Sequence, residues 1–332
     1  MNILVIRFSS AGDIILTSLF LRALRGRFPE ATIEFMTKRE FAPLVEHSPH
    51  VDRVITIEPG WGIRDLAAMK SGLIREKGGD YDIVFDLHNS LRSRYVRGAL
   101  GKETAVIAKP SLAKWLLVHR KINRLRPIVP IPERYLAVGE PFGLKNDGMG
   151  LELFTGGALS PILPVTDRPT IALAPGARHA TKLWPAENFA ALGTTLARER
   201  NARIILFGSA GERELCGSIA RDIDGDVVNL AGHITLPEAA AAMDCCDVVV
   251  SNDSALAHVA AARKRPVVAI FGSTVQEFGF APYGTRSLVV ENEGLYCRPC
   301  TAIGRESCPE RHFRCMKEIT AADVMGAIAE IS

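Results

Sequence analysis

The chain has 332 residues, 47% hydrophobic and 23% charged, with a formal net charge of +3. That length suits two domains of ordinary size and the composition is that of a soluble globular protein. The near balance of charge gives no global field that would argue for nucleic acid, and no stretch reaches the ~20 apolar residues that span a bilayer. The start runs directly into a strand pattern with no secretory leader. Seven cysteines, an odd number, suit a reducing compartment better than a disulfide framework. A cytoplasmic protein is expected.

In chain order, strands are expected at 2–8, 31–36, 53–57, 81–87 and 104–107, with amphipathic helical segments near 13–28, 63–77 and 92–100 between them. Continuous apolar strands alternating with helices indicate a parallel sheet covered on both faces. From Arg92 to Arg126 the cations are Arg92, Arg94, Arg97, Lys102, Lys109, Lys114, Arg120, Lys121, Arg124 and Arg126, and Glu103 is the only acid. That excess predicts an anionic partner near the first domain. Within it, 111–126 reads as a basic amphipathic helix carrying Leu112, Trp115, Leu116, Val118 and Ile122. Such a helix suits an anionic membrane surface, and equally an ordinary solvated face.

Residues 143–169, rich in Gly and Pro, read as an interdomain linker with a short strand at 149–154. A second alternation follows, with strands at 170–174, 203–208, 227–230, 247–250, 267–271 and 287–290, and helices at 185–200, 211–221, 236–243 and 254–264. A cysteine-rich loop covers 295–316. A last helix begins near Thr320, where Thr320 and Asp323 resemble a capping box. The expected division is 1–160, 161–319, and a terminal helix, 320–332, packing back toward the first domain.

Two small-residue loops stand out. Ser9-Ser10-Ala11-Gly12-Asp13 follows the apolar run Ile3–Ile6, and Ser251-Asn252-Asp253-Ser254-Ala255-Leu256-Ala257-His258 follows Val248–Val250. Each places a carboxylate at the carboxyl end of a strand, where open α/β sheets bind ligands. Asp13 could take a proton from an attacking hydroxyl; a plain cap for the next helix is the commoner use of such an aspartate. Ser254, Ala255 and Leu256 open a helix whose free N–H groups suit phosphate. Asp253 would repel phosphate and fits sugar hydroxyls or a loop-holding role. His258 either faces the ligand or braces the loop.

The turn Pro175–Pro185 offers Arg178, His179, Thr181 and Lys182 as phosphate donors at another strand's carboxyl end. Glu212, in Gly208-Ser209-Ala210-Gly211-Glu212, could accept from ribose or a base amino group, or serve the helix dipole. Gly272-Ser273-Thr274 is a further turn of this kind. No GxGxxG is present, which disfavours a dinucleotide site and a dehydrogenase. Cys297, Cys300, Cys308 and Cys315 have spacing that could hold zinc; a reduced loop, or disulfides formed on oxidation, are the alternatives. Cys245 and Cys246 read as packing residues.

Together these elements resemble glycosyltransferase family 9, the ADP-heptose:lipopolysaccharide heptosyltransferases. The resemblance rests on Ile3-Leu4-Val5-Ile6-Arg7 with Ser10-Ala11-Gly12-Asp13, on Lys182-Leu183-Trp184-Pro185, on the 251–258 stretch, and on Phe271-Gly272-Ser273-Thr274. The four-cysteine tail, with His312-Phe313-Arg314-Cys315-Met316, looks most like the heptosyltransferase II branch. The resemblance implies an α/β, GT-B fold: two Rossmann-like domains, with parallel sheets facing a central cleft whose closure would exclude water. It also implies an inverting transfer from ADP-L-glycero-D-manno-heptose to the lipopolysaccharide inner core, with no metal required. In that reading Asp13 is the general base, Lys182 supports the diphosphate, and Gly12, Thr181, Glu212, Asp253, Ser254, Ala255, Leu256 and His258 bind the donor. Arg92 and Arg94 face an acceptor bearing Kdo carboxylates and phosphates. A peripheral position at the inner face of the cytoplasmic membrane follows from a glycolipid acceptor. The rival readings are another GT-B enzyme using a UDP-sugar, as transferase or epimerase, and a zinc-dependent interaction module.

Overall fold

The computed structural model describes residues 1–77, 81–98, 100–156 and 166–332. In chain order its elements begin β1 (Asn2–Ile6), α1 (Ala11–Ile15), α2 (Ser18–Arg27), β2 (Thr32–Lys38), β3 (Arg53–Ile57), α3 (Ile63–Lys77), β4 (Tyr81–Asp86), α4 (Leu91–Arg97), β5 (Gly101–Val106), α5 (Ser111–Arg120) and α6 (Ile131–Gly139). There follow β6 (Thr170–Ala174), α7 (Ala186–Arg200), β7 (Arg203–Leu206), α8 (Arg213–Asp222), β8 (Val227–Asn229), α9 (Leu236–Met243), β9 (Val248–Asn252), α10 (Ala255–Ala262), β10 (Val267–Phe271), β11 (Ser287–Glu291), α11 (Arg314–Lys317) and α12 (Ala321–Ile331). The chain forms two compact units: Met1–Lys109 with Ile131–Gly156, and Pro110–Pro130 with the described residues from Thr166 onward.

Among the described residues the first unit holds a parallel sheet in the order β3-β2-β1-β4-β5. The second holds a parallel sheet in the order β11-β10-β9-β6-β7-β8. Both are doubly wound. The order reverses between β1 and β4 in one unit and between β6 and β9 in the other, and ligands of such sheets bind outside the carboxyl ends at that reversal. The central strands are apolar on both faces because helices cover both: β6, β9 and β10 are buried throughout. β5 lies at an edge and exposes Lys102, Glu103 and Thr104, charges of the sort that discourage further strand pairing.

Several expectations are met closely and a few are not. The segment expected as one helix at 13–28 is two, α1 and α2, separated at Leu16–Thr17, where the Thr17 hydroxyl donates to the Ile14 carbonyl at 2.6 Å. The expected strand at 149–154 does not form. Leu151 and Leu153 are buried as that pattern suggests, and side chains of α2 take two of the segment's backbone groups. Arg22 donates to the Gly150 carbonyl at 2.8 Å, and the Glu152 N–H donates to the Ser18 hydroxyl at 3.1 Å. Helix α6 carries Pro132 in its first turn, where the missing N–H costs nothing, and buries Ile131, Tyr135 and Leu136.

Residues 110–130 were expected with the first domain and lie in the second unit. Leu117 and Leu125 pack with Phe278, and the Lys121 ammonium donates to the carbonyls of Cys297 and Pro299 at 2.9 and 2.7 Å. The helix there ends at Arg120, with Lys121 left-handed at φ 57°. α12 starts where expected. The Thr320 hydroxyl accepts from the Asp323 N–H at 3.2 Å, and Asp323 accepts in return from the Thr320 N–H at 2.8 Å. The helix buries Val324, Ala327, Ile328 and Ile331 in the second unit's core, with Trp184 and Phe189. Among the described residues no helix is long and apolar enough to cross a membrane.

Candidate active site

In the first unit the chain leaves β1 through Arg7 and turns at Ser9–Ser10 into α1. Asp13 sits in the first turn of that helix. Its Oδ2 accepts from the Ser10 N–H at 3.2 Å and the Ser10 hydroxyl at 2.8 Å, so the capping role is real. Its Oδ1 faces the Arg7 guanidinium at 2.7 Å and accepts from the Tyr135 hydroxyl, on α6, at 3.3 Å. Arg7 is itself anchored by donating to the Leu87 carbonyl at 2.7 Å, at the end of β4, and lies over the Tyr135 ring. Burial pushes the Asp13 carboxyl up, but the Arg7 charge and the Ser10 and Arg7 hydrogen bonds outweigh it and hold it below the ordinary carboxylate range. At neutral pH it is an ionised acceptor at the reversal point of a parallel sheet. Burial pushes the Tyr135 phenol far up, so it remains a donor.

Beside this loop is a pocket of about 330 Å³ lined by Phe8, Ser9, Lys38, Ile57, His88, Ser90, Leu91 and Arg92. These residues come from the carboxyl ends of β1 to β4 and the start of α4. Desolvation, with help from Arg7 and Lys109, pushes the His88 imidazole down to about 4, so its ring is neutral at pH 7. Arg92 lines this pocket. Arg94 donates to the Asn89 side chain at 3.1 Å. Others of the basic run are engaged elsewhere: Arg97 pairs with buried Asp86 at 2.6 Å and Lys102 with Asp82 at 2.8 Å.

In the second unit the loops after β6 and β9 meet at the reversal point. The Lys182 ammonium lies 2.7 Å from Asp253 Oδ2, and both side chains are largely buried. The Thr274 hydroxyl donates to the same Oδ2 at 2.7 Å. Asn252 ties the two loops, accepting from the Trp184 N–H at 3.1 Å and donating to the Pro175 carbonyl at 2.7 Å. Trp184, 2% exposed, is fixed edge-on to Phe189 and donates its indole N–H to the Ile319 carbonyl.

Ser254 is the N-cap residue of α10, its Oγ 3.2 Å from that of Ser251; Ala255 and Leu256 form the first turn. His258 is buried near Phe280. Glu212 caps the turn after β7, accepting from the Ser209 N–H at 2.6 Å. Its carboxylate also lies against Gly176, where an added Cβ would come within 2.0 Å of Oε1; glycine is what allows that approach. Gly12 is buried in α1. Thr181 is 2% exposed, and its hydroxyl accepts from the Arg305 N–H at 2.8 Å.

Of the three alternatives for the cysteine tail, none is singled out: among the described residues no three His, Cys, Asp or Glu side chains group as metal ligands, and the four thiols are unpaired. Cys315 belongs to the hydrophobic core, and burial pushes its thiol up to about 11. Cys297 Sγ lies 3.8 Å from His312 Nε2.

Reasoning from sequence missed Arg7 and Tyr135 as partners of Asp13. A charge directly ending a buried apolar strand was the available sign for Arg7, since such a charge demands a counter-ion. Tyr135 comes from far along the chain and left no local sign.

Two doubly wound parallel units, each presenting polar loops at its reversal point, give the architecture of the GT-B fold. The chain belongs to glycosyltransferase family 9 (heptosyltransferase), whose family model matches residues 73–310. It is 29% identical over 300 residues to lipopolysaccharide heptosyltransferase 2 of Escherichia coli K12, covering 84% of each chain. Its fold matches a solved glycosyl transferase family 9 structure from Veillonella parvula DSM 2008 with a TM-score of 0.79 at 21% identity, over 99% of this chain and 96% of that one. It also matches the structure of E. coli ADP-heptose lps heptosyltransferase II with a TM-score of 0.70 at 24% identity, over 100% and 98%.

Proposed function

We propose that the chain transfers a heptose from ADP-L-glycero-D-manno-heptose to the inner core of lipopolysaccharide, inverting the anomeric centre, with Asp13 as general base. The observation that carries this reading is the ionised Asp13 carboxylate, held by Arg7 and Ser10 at the end of β1, in a chain of the heptosyltransferase family. A base with a depressed pKa abstracts no proton from a resting alcohol. It accepts one late, as the acceptor oxygen bonds to an oxocarbenium-like carbon and becomes acidic. Arg7 and Ser10 fix the carboxylate's orientation for that step. One displacement, with the acceptor oxygen arriving opposite the departing ADP, accounts for inversion.

Lys182 and the N-terminus of α10 support the departing diphosphate. Asp253 holds the Lys182 ammonium through one oxygen, leaving the ammonium's other donors for phosphate, and it is placed to accept from sugar hydroxyls. Thr181, Glu212 and His258 shape the donor site. Positive charge from lysine and helix makes a metal unnecessary for this step.

Lys38 and Arg92 at the first unit's pocket, with Arg94 close by on α4, suit the carboxylates and phosphates of an anionic acceptor. The exposed Leu112 and Trp115 of α5, flanked by exposed Arg120 and Arg124, suit transient contact with the inner face of the cytoplasmic membrane, where a glycolipid acceptor resides. Calorimetric titration with ADP and with UDP tests the donor assignment. ADP binding in preference to UDP is expected; preference for UDP contradicts it and favours a UDP-sugar enzyme of the same fold.

A further inference from the structure

The cysteine-rich segment reads from sequence as a set of metal ligands, but its contacts are made by the arginine between the cysteines. Arg298 is buried, with a side chain 4% exposed, and pairs with Glu291. Its Nε donates to the Gly272 carbonyl at 2.6 Å, its Nη1 to the Asn292 carbonyl at 2.5 Å and its Nη2 to the Thr274 carbonyl at 2.9 Å. A planar guanidinium imposes its own geometry on the groups it joins. The turn after β10 is thereby locked to the end of β11. Cys300 adds a backbone bond, its N–H donating to the Ser273 carbonyl at 3.2 Å.

That turn carries Thr274, whose hydroxyl donates to the Asp253 oxygen that also holds Lys182. The same segment grips the lysine's own turn from the other side. The Thr181 N–H donates to the Arg305 carbonyl at 3.0 Å, and the Arg305 N–H donates to the Thr181 hydroxyl at 2.8 Å. Gly304 packs so closely on His179 that an added Cβ would come within 2.5 Å of the histidine Cβ. The two loops bearing Asp253 and Lys182 are thus both fastened to residues 298–305, a segment that itself contains neither group.

We infer that segment 298–305, centred on Arg298 and acting through Thr274, is a positioning device for the Lys182–Asp253 pair. It thereby sets the affinity of the enzyme for the nucleoside diphosphate portion of its donor. The inference rests on the proposed reading of that pair as the diphosphate site. Arg298 and Thr274 are positioning residues, since neither need touch substrate.

The test is calorimetric titration of the full chain with ADP, paired with thermal unfolding and with KM values for donor and acceptor, for wild type, Lys182→Met, Thr274→Val, Thr274→Ser and Arg298→Lys. Thr274→Val keeps the buried shape and removes only the hydroxyl. It should weaken ADP binding about tenfold, the scale of one hydrogen bond to a charged group, and raise donor KM while acceptor KM and the unfolding midpoint hold. Thr274→Ser should restore binding to within about twofold of wild type, because the donated bond returns. Arg298→Lys should show the same donor-specific loss; if it does not fold, Thr274→Val decides alone. Wild-type ADP affinity in Thr274→Val, with loss in Lys182→Met, overturns the positioning role and leaves the donor site standing. Wild-type affinity in Lys182→Met overturns the donor-site reading and the positioning role with it.

Discussion

The loop after β1 and the paired loops after β6 and β9 occupy the same topological place in their own sheets, yet they are built in opposite ways. Asp13 is held mostly from within its own turn, by Ser10 and Arg7, with Tyr135 the one distant partner. Lys182 is held from far along the chain by Asp253, which Thr274 holds in turn and, through Thr274, Arg298. The electrostatics differ too. The Asp13 carboxylate is kept ionised by a cation, whereas the Lys182 cation is held in place by a carboxylate. The proposed roles account for the difference: a base that must keep one charge state needs only a near neighbour of opposite sign. A phosphate-binding cation needs fixed placement with donors left over, and that takes a scaffold.

The sharpest way to break this comparison is to remove each charge. Asp13→Asn should lower turnover by roughly 10²–10⁴, the usual range for a positioned acid–base group, with ADP affinity in calorimetry unchanged; an asparagine enzyme that retains turnover ends the base assignment. Lys182→Met should weaken ADP binding and slow transfer together, by about 10²-fold in turnover, as when one preorganised donor to a developing charge is lost. Loss confined to binding or to turnover alone would mean that the lysine does not follow the diphosphate through the reaction.

Arg7→Gln sharpens the electrostatic half of the contrast. In the native protein burial raises the Asp13 carboxyl, and Arg7 and Ser10 together lower it more. With the guanidinium gone the burial effect dominates and the pKa rises. The base is active only when ionised, so the acid limb of the rate–pH profile should move to higher pH. Turnover should then fall more at pH 5 than at pH 8; an unmoved limb would mean that Arg7 does not govern the charge of Asp13. The smallest effect is expected from Tyr135→Phe. Its bond to Asp13 is long, at 3.3 Å, and a neutral hydrogen bond contributes about 1 kcal/mol. A several-fold fall in turnover with no change in ADP affinity is expected; a loss equal to that of Asp13→Asn would make the tyrosine a participant in the proton transfer.

The same contrast decides what the sequence revealed. Parallel sheets, the polar turns at strand ends, the pairing of Thr320 with Asp323 and the family motifs are local patterns, and they are found where the periodicity of apolar residues puts them. The β1 loop was legible because its small residues and Asp13 directly follow an apolar strand, although Arg7 and Tyr135 were not read as partners of Asp13. Arg298 was not, because its meaning comes from carbonyls just past the ends of β10 and β11, and the flanking cysteines offered a more familiar pattern. Residues 110–130 were misplaced for a similar reason. Their basic composition matches the preceding stretch, but Leu117 and Leu125 pack on Phe278, which no local pattern announces. The 149–154 segment alternates like a strand and buries like one, but Ser18 and Arg22 take two of its backbone hydrogen bonds.

The central claim is heptose transfer with Asp13 as base, and its most direct test is a transfer assay. Purified chain would be incubated with ADP-L-glycero-D-manno-heptose and, separately, lipopolysaccharide truncated before and just after its first inner-core heptose, following ADP release and the new glycosidic linkage by NMR, with wild type and Asp13→Asn in parallel. The account predicts one ADP released per heptose attached, an inverted anomeric configuration, and transfer slowed by roughly 10²–10⁴ with Asp13→Asn. No heptose attached by the wild type, a retained configuration, or undiminished transfer by Asp13→Asn would contradict it.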